Sequence, residues 1–492
     1  MCNFVSLVKK QNINSHLWLA GLKMPSLTFY GGLGEIGGNK ILLEDRGTRI
    51  LLDFGKSFTA RAKYYEWTER PRLANGVGDF FALGLLPKLR GIYRRDLLRL
   101  ANLPSQEDRF VHAAVLSHAH SDHADYTSFL REDIPIYMGE TTKDIICALE
   151  EEKTANVEFE ITSFKERPVD RKAEPVNRDI MTFRTGDKIK IDSIELEPIH
   201  VDHSLPGCYG FIIRTSSSTI AYTGDIRMHG NRADLTRDFI ERAMAARPDL
   251  MLCEGTRINE SSVQKESDVF RTCLEFISQA KDSFVFADYS YKDIDRFMTF
   301  YNIAKSISRK VVINGRLARY LDALSKNSTL KIPKIDDEVV VVYKPRYRSG
   351  RYSESDYDKQ DGEIFSRGAN VWTSDDIQKA QSHVIMTLGS NHIEELIDIR
   401  PTKGVYLHSA SEPFNEEGEI DEKRMNNWID LFGLVRLHAH CSGHAPVSDL
   451  NYIINEVGPK TLIPIHTEHP ELFVAFHSSR VRLADPAKPI AT

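Results

Sequence analysis

LSHAHSDHADY, residues 116 to 126, follows the apolar run VHAAV and packs three histidines and an aspartate into six positions: His118, His120, Asp122 and His123. VHAAVLS (111 to 117) reads as a buried strand that delivers the cluster to its end. With 17 His in 492 residues, isolated pairs arise by chance, but this density does not. Residues two apart on an extended segment point the same way, so His118 and His120 can grip one ion. Asp122 and His123, past the turn, can face a second. Imidazole and carboxylate without thiolate suit Zn²⁺, or Mn²⁺ where oxygen ligands dominate. Four side chains cannot complete two coordination shells, so further ligands are required at strand ends downstream. Three meet that requirement. His203 in HVDHSLPG follows the apolar IELEPI, Asp225 closes the strand IAYTGD beside Gly224, and His466 ends TLIPIH.

Composition limits the alternatives. The hydrophobic fraction of 41% over 492 residues suffices for two or three packed domains. No apolar run approaches the roughly 20 residues of a membrane span. The first 23 residues lack an apolar core and do not read as a signal peptide, and Met24 is a second candidate start. Six scattered cysteines (2, 147, 208, 253, 273, 441) form no CxxC pair, which suggests a reducing, cytoplasmic setting. The net charge of -6 argues against a surface coated in basic residues, although bound cations can supply a local positive field for nucleic acid.

Along the chain, SLTFYGG is strand-like, and ILLEDRGTRILLDFG is a β-hairpin turning at Arg46-Gly47. GGLGEIGG between them runs into this hairpin rather than a helix, so a dinucleotide loop is rejected. Residues 56 to 110 read as irregular and partly basic. Residues 185 to 230 are a succession of short strands, and PDLMLCEGT is another strand. After Thr256 the texture changes. Helical SDVFRTCLEFISQAK and IDRFMTFYNIAKSIS alternate with strand-like SFVFADYS and KVVINGR, as in a parallel α/β layer.

The order Asp53 in LLDFG, SHAHSDH, His203, Asp225 resembles the motifs of the metallo-β-lactamase superfamily. LCEGT with Glu254, CSGHA with His444 and IPIH with His466 resemble the three further motifs of its β-CASP branch, nucleases that include RNase J and pre-mRNA 3′-end endonucleases. GGLGEIGGN, TLGS (387 to 390) and SGHA (442 to 445) are most similar to RNase J and its archaeal relatives. The resemblance implies an α/β fold, a metallo-β-lactamase αββα sandwich with an inserted β-CASP α/β domain. The expected division is 24 to 255 for the first part of the sandwich, 256 to 430 for the insertion and 431 to 492 for the second part.

It also implies roles. One divalent ion would be held by His118, His120 and His203. The other would be held by Asp122, His123 and His466, with Asp225 bridging. Asp53 would fix the histidine loop by hydrogen bonds from behind. The two ions, Zn²⁺ or Mn²⁺, would activate a hydroxide for in-line attack on phosphorus, with Asp122 orienting it. His444, oriented by Glu254, would protonate the leaving oxygen. His438 and His440 compete for that role. Ser390, Ser442 and Gly443 are the expected substrate contacts, and the basic, Tyr-interleaved PKLRGIYRR (87 to 95) and YKPRYRSGRY (343 to 352) are candidate RNA paths.

The expected activity is therefore a metal-dependent ribonuclease acting on single-stranded RNA, exo- or endonucleolytic. The resemblance is compatible with a homodimer. A DNA nuclease with the same clamp is the alternative, but DNA-repair members such as Artemis usually carry Val where this chain has His466. Lactonases and thioesterases share the early motifs but lack the α/β middle and the SGH and IPIH pair. Inactive scaffold relatives lose metal ligands, and all seven are present here.

Overall fold

The computed structural model describes residues 24–65, 69–151, 156–169, 172, 174–367, 370–410 and 416–492. The reading of residues 1 to 23 lies outside them. Two sheets pack face to face. The first runs Ile490–Ala491, Ser26–Gly31, Lys40–Asp45, Thr48–Phe54, Ala113–Val115, Ile136–Gly139, Ile180–Phe183. The second runs Thr461–Ile465, Leu250–Glu254, Thr219–Tyr222, Cys208–Arg214, Ile194–Val201, Ile189–Ile191.

Side-chain alternation explains the layering. Ile50 and Leu52 join Leu196, Phe211 and Ile463 in the core between the sheets, while Leu51 faces outward into a second core, which Phe54 also enters because the strand is irregular at Asp53 (φ +55°). That second core is built by residues 56 to 110. They are not irregular: short helices Phe58–Ala62, Gly78–Ala82 and Arg95–Leu100 cover the outer face with Phe80, Leu97 and neighbours. Each such side chain contributes about 1.5–3 kcal/mol by leaving water. The helices are only five or six residues long, too short to show a full apolar period, which hid them in the sequence. Helices Ala233–Ala246 and Val447–Val457 cover the outer face of the other sheet through Phe239, Ile240, Leu450 and Ile454.

A third sheet is wholly parallel, in the order Val371–Trp372, Val340–Tyr343, Lys310–Ile313, Val384–Thr387, Phe284–Asp288, Gly404–His408, Leu434–His438. Both faces are buried: Val311 and Ile313 enter one core and Val312 the other, so the strands read as unbroken apolar runs. The last strand lies past residue 430, because Leu434–His438 continues the parallel ladder beside Gly404–His408. The chain returns to the sandwich only through the loop that follows. Among the described residues no helix is long and apolar enough to cross a membrane.

This topology brings the chemistry together. Thr48–Phe54 and Ala113–Val115 run parallel, and so do Thr219–Tyr222, Leu250–Glu254 and Thr461–Ile465. Asp53, the 117 to 123 loop, Asp225, Glu254 and His466 therefore sit at carboxyl ends on one edge of the sandwich.

Candidate metal centre

The seven residues expected as ligands converge. His118, His120, His203 and Asp225 place ligand atoms within 4.8 Å of one another, and so do Asp122, His123 and His466. Asp225 lies beside both groups: its Oδ2 is 3.4 Å from His118 Nε2 and 3.2 Å from His123 Nε2.

The hydrogen bonds behind the histidines fix where their lone pairs point. Asp53 accepts from Ser117 N at 2.7 Å, Ser117 Oγ at 2.8 Å, Tyr222 O–H at 2.5 Å and His123 Nδ1 at 2.8 Å. A carboxylate only accepts, so His123 carries a proton on Nδ1 and turns Nε2 inward. Ser117 Oγ gives its proton to Asp53 and so accepts from His118 Nδ1 at 3.0 Å, which leaves His118 Nε2 bare. The Gly443 carbonyl accepts from His203 Nδ1 at 2.5 Å and leaves His203 Nε2 bare as well. Both bare nitrogens lie 3.0 Å from His120 Nδ1. Three ring nitrogens thus meet with at most one hydrogen among them, an arrangement that a cation between them would stabilise.

Two further atoms fit the same conclusion. His123 Nε2 and Asp225 Oδ1 are buried with no hydrogen-bond partner, an expensive state for polar groups unless they ligate an ion. Burial, with neighbouring imidazoles, lowers the pKa values of His118, His120 and His203 and keeps them neutral, as ligands must be. Burial also opposes charge on His123, but Asp225, Asp122 and Asp53 outweigh it and raise its pKa. Without an ion, this anionic excess draws a second proton to Nε2; a divalent ion would take that proton's place and leave the nitrogen bare. The donor set, nitrogen and oxygen without sulfur, fits Zn²⁺ or Mn²⁺.

Beside the cluster, His444 Nδ1 donates to Glu254 Oε1 at 3.2 Å, and Glu254 is fully buried. Burial disfavours the charged imidazole, yet Glu254 and Asp225 push its pKa up to about 9. His444 also falls within ligand reach of Asp225 and His466. His440 does not compete as an acid: burial, with Arg296 beside it, pulls its pKa down to about 3. His438 Nε2 donates to the Ala410 carbonyl at 3.2 Å and stacks on His408, in the inserted layer.

Sequence models of known families match two parts of the chain: a β-lactamase superfamily domain over residues 89–282, and a Zn-dependent metallo-hydrolase RNA specificity domain over residues 435–473. Ribonuclease J of Mycolicibacterium smegmatis is 25% identical over 91% of this chain and 69% of its own length. Ribonuclease J of Corynebacterium glutamicum is 25% identical over 91% of this chain but only 54% of its own length. Ribonuclease J of Pyrococcus abyssi is 21% identical over 91% and 90%. Over nearly its whole length the chain resembles RNase J-like proteins of the β-CASP kind. A crystal structure of a protein of unknown function from Enterococcus faecalis shares the fold, with a TM-score of 0.72 and 22% identity over 96% of this chain and all of that one.

Other parts of the candidate site were hidden in the sequence. The glycine-rich loop makes room for Asp122: a Cβ on Gly37 would lie 2.5 Å from Asp122 Oδ2, and Gly37 has φ +78°. Gly32 O accepts from His466 N at 2.7 Å, so the same loop holds the last candidate ligand. Thr256 Oγ1 lies 2.8 Å from His466 Nδ1 and 3.2 Å from His444 Nδ1, linking ligand and candidate acid. Lys292, on the loop before helix Ile294–Ser306, lies near enough to His120 for its positive charge to depress that ring's pKa.

The expected substrate contacts divide. Ser442 and Gly443 border the cluster. Ser390 lies apart in the inserted layer, where its N–H donates to Asp288 Oδ1 at 2.7 Å. Asp288, which had no reading from sequence, also accepts from Tyr406 O–H at 2.5 Å. In PKLRGIYRR, Tyr93 and Arg94 are buried and Arg94 pairs with Asp96 and Glu160, so that half of the stretch builds the fold and offers RNA nothing.

Proposed function

We propose that this chain hydrolyses phosphodiester bonds of single-stranded RNA at the cluster of His118, His120, Asp122, His123, His203, Asp225 and His466. The observation that carries this is the convergence of the proton-free Nε2 atoms of His118 and His203 with His123 Nε2 and Asp225 Oδ1, two buried atoms without a hydrogen-bond partner, in a chain that matches an RNA specificity domain. His118, His120 and His203 would hold one divalent ion; Asp122, His123 and His466 would hold a second, with Asp225 between. When bound, the ions supply the positive charge that acidifies water near neutral pH and offsets charge on the phosphate.

The chain's own groups do the rest. Asp122 Oδ2, on the more open side of the cluster, orients the attacking water and takes its proton. His444, held through Nδ1 by Glu254 and raised to a pKa of about 9, is charged at neutral pH and gives its Nε2 proton to the departing 3′-oxygen. Asp53 keeps the histidine loop in register and excludes water from behind it.

The test uses single-stranded RNA and DNA of one sequence, labelled at the 5′ end or the 3′ end, with the wild type and Asp122→Ala plus His123→Ala. RNA is cut, DNA is not, and the double variant is inactive. Labelled mononucleotide from the 5′ end identifies exonuclease action, and mid-length fragments identify endonuclease action. Equal cutting by the double variant, or preference for DNA, overturns the proposal.

A further inference from the structure

The loop 439 to 444 leaves the edge strand Leu434–His438 of the inserted layer and re-enters the sandwich carrying Ser442, Gly443 and His444. Its carbonyl oxygens are captured one after another by donors on both sides. Cys441 O accepts from Arg296 Nη2 at 3.3 Å, and Ser442 O accepts from Arg227 Nη1 at 3.2 Å and His229 Nε2 at 3.0 Å. Gly443 O accepts from His203 Nδ1, the bond that aims His203 Nε2 into the cluster. The next residue is His444. One short loop thus orients a ligand with one residue and supplies the candidate acid with the next.

Arg227 stands where this loop meets both layers. It follows Asp225 by two residues and is 99% buried by area. Its guanidinium has three neighbours: Ser442 O on the loop, Asp202 Oδ1 of the sandwich 3.3 Å from Nε, and Asp295 Oδ2 of the inserted layer 2.5 Å from Nη2. Asp295 lies in the first turn of helix Ile294–Ser306, and its neighbour Arg296 binds Glu266, Ser409 and Cys441 O. The space is made to measure. A Cβ at Gly230 would collide with Arg227 and Asp202, so any larger residue there displaces the pair. Burial of so many ions is costly and gives poor value as stability alone, since apolar side chains of equal volume often serve as well. A planar fork with fixed donor directions does what an apolar residue cannot: it sets the position of a backbone carbonyl.

We propose that Arg227 is a positioning residue of the metal centre. By holding Ser442 O between the sandwich and Asp295 of the inserted layer, it fixes the Gly443 carbonyl that orients His203 and the ring of His444. Metal affinity therefore depends on the docking of the inserted layer, although that layer contributes none of the seven ligands. Loss of partners that orient a ligating histidine typically weakens metal binding about 10–100-fold.

The test is Zn²⁺ affinity of the full chain, stripped with chelator and titrated against a chromophoric competitor, with thermal melting to establish folding. Arg227→Met weakens Zn²⁺ about 10-fold or more. Arg227→Lys keeps the charge, but one ammonium cannot span Ser442 O and Asp295 together, so it does not restore the affinity. Asp295→Ala, which cuts only the tie to the inserted layer, weakens Zn²⁺ several-fold. Wild-type affinity in a folded Arg227→Lys or a folded Asp295→Ala chain overturns the proposal, and these two decide it even where Arg227→Met does not fold. The expected effect on turnover, a lower kcat at nearly constant KM, rests on the nuclease reading. Failure of the wild type to cut RNA would end that reading while leaving the Zn²⁺ titration to decide the role of Arg227.

Discussion

His466 Nε2 lies 3.1 Å from Asp122 Oδ2, although 344 positions of sequence separate them. The pair closes the cluster between the first metal motif and the last, and it forms only because Thr461–Ile465 joins the second sheet beside Leu250–Glu254. Asp122→Asn preserves size and removes the charge. We expect RNA cleavage to fall by ~10²–10⁴, the range for loss of a positioned base, with far-UV dichroism showing the chain still folded.

In the proposed reaction the Glu254–His444 pair sets a pH limb. A proton donor works only while protonated, so activity falls as pH rises through the pKa of His444, about 9 in the metal-free site. Bound cations draw that limb downward. Glu254 is the leading charge that raises this pKa, so Glu254→Gln moves the limb further toward acid and His444→Ala removes it. Rate profiles between pH 6 and pH 10 on labelled RNA check both shifts.

Gly37→Ala sets an added methyl against Asp122 at a backbone angle that side chains rarely adopt. The contact lies at the metal site and away from the main cores. We expect a folded chain with far-UV dichroism like the wild type, weaker metal retention on dialysis and a loss of cleavage that excess metal partly restores.

Stability should vary with pH through Glu158. Its carboxylate is 97% buried by area and pairs with Lys56 Nζ at 2.5 Å and with Arg61. Burial alone would raise its pKa, but Lys56 and Arg61 win and lower it below 4.5. The folded value is therefore depressed: the stabilisation is fully present above the ordinary glutamate range and is lost as pH falls through the folded value. Glu158→Gln leaves the buried Lys56 with only Asp125, 3.5 Å away, takes the partner of the partly exposed Arg61, and costs about 3 kcal/mol at pH 7. Urea melts at pH 7 and pH 3.5 should show the difference between variant and wild type shrinking at the lower pH.

Much of this was legible because the chemistry is local in sequence at its densest point. His118 to His123 occupy one strand end, and an ion's need for more ligands leads to His203, Asp225 and His466. The sheet strands were equally legible, since Ile50 and Leu52 against Leu51, or Val311 to Ile313, announce which faces are buried. What stayed hidden depends on distant parts meeting. The helices within 56 to 110 gain their stability from the outer face of the first sheet, and isolated segments of five residues have no helical tendency to read. Arg227, Thr256 and Gly37 are ordinary residues until folding places them beside Ser442, His466 and Asp122. Tyr93 and Arg94 mislead in the opposite sense: a basic, aromatic stretch resembles a nucleic-acid path until its side chains are seen inside the fold.

The most direct measurement is cleavage of single-stranded RNA by the chelator-stripped chain during stepwise addition of Zn²⁺, repeated with Mn²⁺. We predict no cleavage without metal, and activity that rises to a plateau at two ions per chain with at least one of the metals. Cleavage that persists in the stripped chain, or that is indifferent to either ion while the protein remains folded, would contradict a catalytic centre built from these seven side chains.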